Sequence, residues 1–295
     1  MWKAILLVFL GSCSYGMLST IVKFAYEAGF EPGEVVGAQN LFGTLISLAL
    51  VLLISRKKMS PRQWIALLLV GLTTGSTGIF YYNSLQTVPA SIAIVLLFQF
   101  TWMGVILEAV LNRKRPSREK AISIVLLLIG TGLASGIAGV GTLDLPVMGV
   151  ALGLLSAVTY TGFIYFSGKV STEVPALNRT FLMNLGGFIL VSIYHTPSFL
   201  WNGALGEGLW KYALLVGILG VVLPTLCFNY GIPKLGTGLG AIIGAAELPV
   251  AVIMSAVLLH EGVSPLQWAG VLVILFGIAY PHLRRKPGSI MRSEK

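Results

Sequence analysis

Ten stretches of mainly apolar residues recur along this chain, each near the roughly 20 residues that a helix needs to cross a bilayer. They fall near residues 4–24, 35–54, 64–84, 90–111, 121–138, 147–168, 180–195, 212–231, 236–259 and 265–281. Hydrocarbon offers backbone amides no water to bond, so a chain that enters it repeatedly must close its hydrogen bonds within helices or a barrel. Runs of this length specify helices. The composition agrees: 56% of the 295 residues are hydrophobic and 11% are charged, with a mean hydropathy of +0.87. That is too little charge to coat a soluble core of this size. The expected fold class is an all-α integral membrane protein with ten transmembrane helices.

The first run follows Lys3 and lacks a small-residue cleavage site, so it reads as a retained span rather than a signal peptide. The net charge of +9 does not point to nucleic acid, because the basic residues lie in short clusters between apolar runs. Cys13 and Cys227 fall inside such runs, where thiols pack as small apolar groups. Neither a disulfide nor a metal site is suggested, and no cofactor is expected.

The loop charges orient the spans. With the N-terminus inside, the inner segments hold Lys3, Arg56, Lys57, Lys58, Arg62, Arg113, Lys114, Arg115, Arg118, Lys120, Lys169, Arg179, Lys234 and the tail residues Arg284, Arg285, Lys286, Arg292 and Lys295. These are 18 of the 20 basic residues, and the outer loops carry Glu27, Glu31, Glu34, Asp144, Glu207 and Glu261 instead. The positive-inside rule then places both termini in the cytoplasm, with the protein in the cell membrane.

The chain also resembles itself. A shift of 147 lays residues 82–133 on 229–280 without a gap, matching Val105 with Val252, Ile106 with Ile253, "AVL" at 109–111 with "AVL" at 256–258, Ser117 with Ser264, Leu128 with Leu275 and Gly130 with Gly277. Near the start of each half, Ser14–Tyr15 meets Thr159–Tyr160 and Lys23 meets Lys169 at nearly the same shift. Two halves follow: 1–138 and 147–283, with 284–295 a basic cytoplasmic tail. Five helices per half is an odd number, so the second copy enters the membrane upside down. Inverted repeats of this kind hold a substrate site between the halves in secondary transporters.

These features resemble the EamA type of the drug/metabolite transporter superfamily. The resemblance covers nearly the whole chain. It rests on the two halves, on "SYG" and "TYTG" in the first helix of each, and on "AAELPVAVIMSAVLLHEGVSPLQWAGVLVILFGI" near the end. The corresponding turn of the first half, "LNRKRPS", lacks the glutamate of "HEG". The resemblance implies a secondary carrier, commonly an exporter of amino acids or related metabolites.

By these spans only Lys23, Glu108 and Glu247 are charged within the membrane. Lys23 and Glu108 lie near helix ends and can snorkel to the interface. Glu247 cannot readily do so, and an acid at a helix centre costs roughly 2.5–3.5 kcal/mol on insertion scales. It is either a structural acid bonded to a neighbouring helix or a group that takes up a proton or pairs with a substrate ammonium. Pro249 either kinks the helix for packing or frees the carbonyl of Ala245 for a ligand. Other polar groups near the middle of their runs are Ser14, Tyr15, Asn40, Thr74, Ser76, Gln99, Trp102, Tyr160, Asn184, Thr225 and Asn229. Tyr15, Asn40, Thr74, Gln99, Trp102, Tyr160, Asn184, Asn229 and Glu247 are the candidate substrate-binding set, with Glu247 the candidate for proton coupling. The fifth helix of each half contributes almost nothing polar and should pack at the edge.

The expected partners are a small-molecule substrate, a proton and the lipid bilayer, without nucleic acid; a homodimer is compatible with the sequence. No G-x-x-x-x-G-K-[ST] stretch is present. A multidrug or cationic-compound exporter is the alternative substrate class. An intramembrane enzyme would need paired catalytic groups within the spans, and "HE" at 260–261 lacks a second histidine and lies in a loop. A channel or a receptor without turnover is the remaining rival.

Overall fold

A computed structural model describes residues 1–55, 57–136, 145–260 and 262–283, excluding the side chains of Ala90, Ser91 and His282. Arg56, Asp144, Glu261, the end of the first half beyond 136 and the tail 284–295 therefore lie outside the described residues.

The helices are α1 (Trp2–Glu27), α2 (Pro32–Ile54), α3 (Pro61–Leu85), α4 (Ala90–Leu97), α5 (Phe100–Leu111), α6 (Arg118–Ala134), α7 (Val147–Ser167), α8 (Ala176–Tyr194), α9 (Trp210–Gly217), α10 (Leu223–Leu235), α11 (Thr237–Gly244), α12 (Glu247–Leu258) and α13 (Pro265–Leu283). A π-helical turn, Ile218–Val222, joins α9 to α10. Among the described residues, eight helical stretches are long and apolar enough to cross a membrane by length and composition, and Pro265–Pro281 is a shorter apolar one.

Several helices begin where the sequence provides a start. Ser60 accepts from Gln63 N–H while Gln63 Oε1 accepts from Ser60 N–H, a reciprocal cap followed by Pro61 at a position that needs no donor. Ser264 and Gln267 repeat this arrangement ahead of Pro265. The seventh apolar run, expected at 180–195, starts earlier, because α8 begins after Pro175. Arg179 thus enters the first turn of a packed helix instead of an inner loop.

The surface is inside-out relative to a soluble protein. Leu53, Ile193 and Leu272 are exposed on the outer faces of α2, α8 and α13, whereas Ser12, Gln39, Thr180 and Asn229 are buried. Lipid tolerates the former, and the latter must find partners inside.

Glycines set the closest helix crossings. A Cβ on Gly71 of α3 would strike the backbone of Met183 in α8, and one on Gly186 would strike the Leu68 carbonyl. On the far side, a Cβ on Gly130 of α6 would lie 3.0 Å from the Gly270 carbonyl of α13. Packing pairs exchange when the halves are interchanged: α1 packs on α10 and α12, as α7 packs on α3 and α5, and α2 packs on α9, as α8 packs on α3. The interruptions repeat as well. Helices α4 and α5 are separated at Phe98–Gln99, α11 and α12 at Ala245–Ala246, and every bound is displaced by 147 residues.

Candidate functional site

A cavity of about 560 Å³ lies among α1, α2, α3, α4, α7, α8, α10 and α12. Its rim carries Lys23, Pro32, Gln86 and His195 at the ends of α1, α2, α3 and α8, and its deep end carries Tyr15, Tyr160 and Glu247. Lys23, Pro32 and Gln86 are exposed, so the cavity opens on that side.

The deep end is built by the interruption between α11 and α12. Pro249 has no N–H to give the Ala245 carbonyl, which would be its partner four residues back. Of the two readings of Pro249, the freed carbonyl is not what the structure holds: Ala245 O accepts from Leu248 N–H at 3.3 Å, a tightened turn that takes up the missing bond. Glu247 is the first residue of α12 after this break, and the matching break between α4 and α5, where Trp102 stands in the place of Pro249, forms without a proline. Glycine 16 lets α1 reach this point, since a Cβ there would meet the Glu247 carbonyl and lie 2.7 Å from Val250 Cβ.

The "SYG" stretch thus acts residue by residue. Ser14 Oγ donates to Leu219 O in the π-helical turn at 2.5 Å, Tyr15 faces the cavity, and Gly16 admits α12. In "TYTG", Thr159 shares a hydrogen bond with Thr77 at 2.9 Å, and Tyr160 is the cavity residue. Among the described lining residues Glu247 is the sole carboxylate, and Tyr15, Tyr81 and Tyr160 are within its electrostatic reach.

Beneath this floor lies an aromatic stack. Phe100 meets Tyr160 edge-on at 4.7 Å, Tyr160 stacks on Phe163 at 6.0 Å, and Phe163 stacks on Phe228 at 6.0 Å. The three phenylalanines are fully buried, so the cavity ends there.

Of the residues singled out in the sequence, Tyr15, Asn40, Thr74, Tyr160, Asn184 and Glu247 line the cavity, together with Thr225. Asn40 Nδ2 donates to Val36 O at 2.9 Å and Thr74 Oγ1 to Gly71 O at 2.7 Å, both local bonds that leave the helix intact. Three do not line it. Gln99 donates to Val95 O at 2.8 Å and accepts from Trp102 Nε1 at 2.7 Å, so this pair satisfies itself. Asn229 is buried and donates to Thr180 Oγ1 at 3.1 Å.

Lys23, Gln39, Tyr81 and Tyr82 also line the cavity and were not singled out as binding residues. A lysine near a helix end, as Lys23 is, has the pattern of a snorkelling residue, and "YYN" at 81–83 is the composition of an interfacial belt, which hides a lining role. Glu108, the other expected snorkeller, is paired with Lys120 and lies against Gly236 and Gly238 at the start of α11.

The cavity leaves polar atoms without partners. Asn184 Nδ2, Gln39 Oε1 and Tyr160 Oη are buried and unbonded among the described residues. Such atoms cost about 1–3 kcal/mol each when nothing meets them. No cluster of three or more His, Cys, Asp or Glu side chains suited to a metal occurs among the described residues.

Apolar helices around a mostly apolar cavity that opens at one end and carries one acid with several hydroxyls and amides are the arrangement of an integral membrane protein of the transporter class. The model of the EamA-like transporter family matches residues 2–136 and 147–280, and the chain belongs to that family. It is 28% identical over 205 residues to the uncharacterized transporter sll1319 of Synechocystis, covering 68% of this chain and 61% of that one. It is 24% identical over 273 residues to the threonine/homoserine exporter RhtA of Escherichia coli K12, covering 90% of this chain and 86% of that one. A solved crystal structure superposes with a TM-score of 0.78 at 19% identity, covering 95% of this chain and 98% of the other, a likeness of fold.

Proposed function

We propose that the protein is a secondary carrier that exports amino acids or related small metabolites by alternating access. The observation that carries this reading is the cavity closed at one end by Glu247, Tyr160 and Phe100 and open at the other past Lys23 and Gln86. In this reading the chain spans the membrane ten times as two inverted five-helix repeats, 1–138 and 147–283, with both termini cytoplasmic. The common displacement of 147 at the broken helices and the exchange of packing partners support the repeat. Interchanging the conformations of the halves would close the open end and open the closed one.

The binding set is Tyr15, Asn40, Thr74, Tyr160, Asn184 and Glu247, joined by Gln39. Glu247 takes a substrate ammonium or a proton, and the tyrosines around it present ring faces and hydroxyls to the same group. An α-amino acid suits a site with one acid, a rim lysine and unpaired amides. The likeness to a threonine/homoserine exporter favours this class. Gln99, Trp102 and Asn229 act in packing.

Counterflow in proteoliposomes tests the proposal. Threonine, homoserine, other amino acids, nucleobases and cationic drugs are offered under several pH gradients. Accelerated exchange of an amino acid is expected, with Glu247→Gln abolishing its proton dependence or its uptake. Absence of counterflow for the whole panel would sink the carrier reading, and an unchanged Glu247→Gln variant would remove that residue from it.

A further inference from the structure

Arg179 is among the largest fully buried side chains of the molecule, at 1% exposure. Burying a guanidinium is tolerated only where its donors are met. Here one terminal nitrogen donates to the Asn229 carbonyl of α10 at 2.8 Å and the other to the Ser167 carbonyl at the C-terminus of α7, while Nε has no partner among the described residues. One residue of α8 therefore ties α7 to α10. Around it the closure is tight: Ile232 of α10 would lie 2.9 Å from a Cβ on Gly168, and Phe228 packs against Phe163.

The repeat gives this contact a meaning that packing alone does not. Interchanging the halves carries Asn229 of α10 to Tyr82 of α3, the end of α7 at Ser167 to the α1 segment around Val22, and the first turn of α8 to the first turn of α2 at Pro32. Tyr82, Val22 and Pro32 all line the cavity, on its open side. The places joined by Arg179 at one end of the molecule are thus separated by the cavity at the other.

We propose that Arg179 is the latch of the inner gate, holding α10 against α7 and α8 while the cavity is open outward. The proposal rests on the alternating-access reading. Two carbonyls suit such a device: bonds from a charged donor hold firmly, and their release strands no buried carboxylate, because Glu173, the acid within electrostatic reach of Arg179, is exposed. On release the charge is left to water in the newly opened inner cavity.

The test measures spin-label distances in purified protein carrying Cys13→Ala and Cys227→Ser. One pair, Glu31→Cys with Gln86→Cys, reports the outer side, and another, Lys169→Cys with Lys234→Cys, the inner; all four positions are exposed. Arg179→Gln is expected to raise the fraction with a long inner and short outer distance by roughly tenfold, the effect of losing a charged hydrogen bond in one of two states. Arg179→Lys keeps the charge and reaches one carbonyl, so a smaller shift in the same direction is expected, and it supplies the measurement if Arg179→Gln does not fold. Wild-type distributions in the variants, alongside active wild-type counterflow, would overturn the latch and leave the carrier intact. A wild type without counterflow and without any substrate-dependent distance change would overturn both.

Discussion

Phe100 and Glu247 occupy the same place in two broken helices, each the first residue after a two-residue interruption and 147 positions apart. One is a fully buried ring set edge-on against Tyr160, and the other is the carboxylate at the deep end of the cavity. The backbone device is duplicated and the chemistry is not.

Moving the acid to the other half should therefore fail. In a Glu247→Gln background, Phe100→Glu is expected not to restore counterflow, because a carboxylate there would face the buried aromatic stack. Its thermal stability should also drop, by the several kcal/mol typical of emptying an aromatic site or stranding a polar group. Recovery of transport in the double variant would show that the two positions share one site.

Asn184 offers a trade between stability and binding. Its amide nitrogen is buried without a partner, so Asn184→Leu removes a cost of about 1–3 kcal/mol from the empty protein. A higher melting temperature in detergent is expected together with weaker uptake at low substrate concentration. A lower melting temperature would mean that the amide is bonded in the resting protein.

The glycine crossing of α3 and α8 has no room for a methyl group. Gly71→Ala is expected to destabilise by about 1–3 kcal/mol or more, the usual cost of overpacking. Gly132→Ala on α6, where nothing lies within 4 Å of the added carbon, should be neutral or slightly stabilising. Thermal unfolding of the two variants side by side checks the contrast.

A loop contact should respond to acid. The Glu173 carboxyl is held below the ordinary glutamate range, first by its own backbone amide and then by Gln63 Nε2, which donates at 2.8 Å. A lowered folded value means that its contribution is present above the ordinary value and is lost as pH falls through the lowered one. Melting curves of wild type and Glu173→Gln should differ at neutral pH and converge in acid. A difference that grows on acidification would contradict this sign.

The helices themselves were legible because span length and apolar composition answer to bilayer thickness, which no tertiary contact overrides. Glu247 was legible for the same reason, as a charge with no short route to water. Side-chain direction was not. Gln99 and Asn229 sit on runs as apolar as those of Asn40 and Asn184, yet Gln99 bonds within its own segment and Asn229 bonds Thr180 of α8, while Asn40 and Asn184 line the cavity. Arg179 was hidden by a boundary: assigned to a loop, it reads as one more inner charge, and only the start of α8 at Ala176 carries it into the interior. The carbonyl of Ala245 was hidden by a local adjustment that periodicity does not encode.

Gly236, with φ of 84°, is the whole connection between α10 and α11, whereas four residues, 86–89, separate α3 from α4. A one-residue corner keeps the ends of α10 and α11 side by side, whereas the four-residue joint lets the ends of α3 and α4 stand further apart. Under the alternating-access reading proposed above, the two halves would then bend at corners of unequal reach, so an exchange of their conformations would not be symmetric in its path.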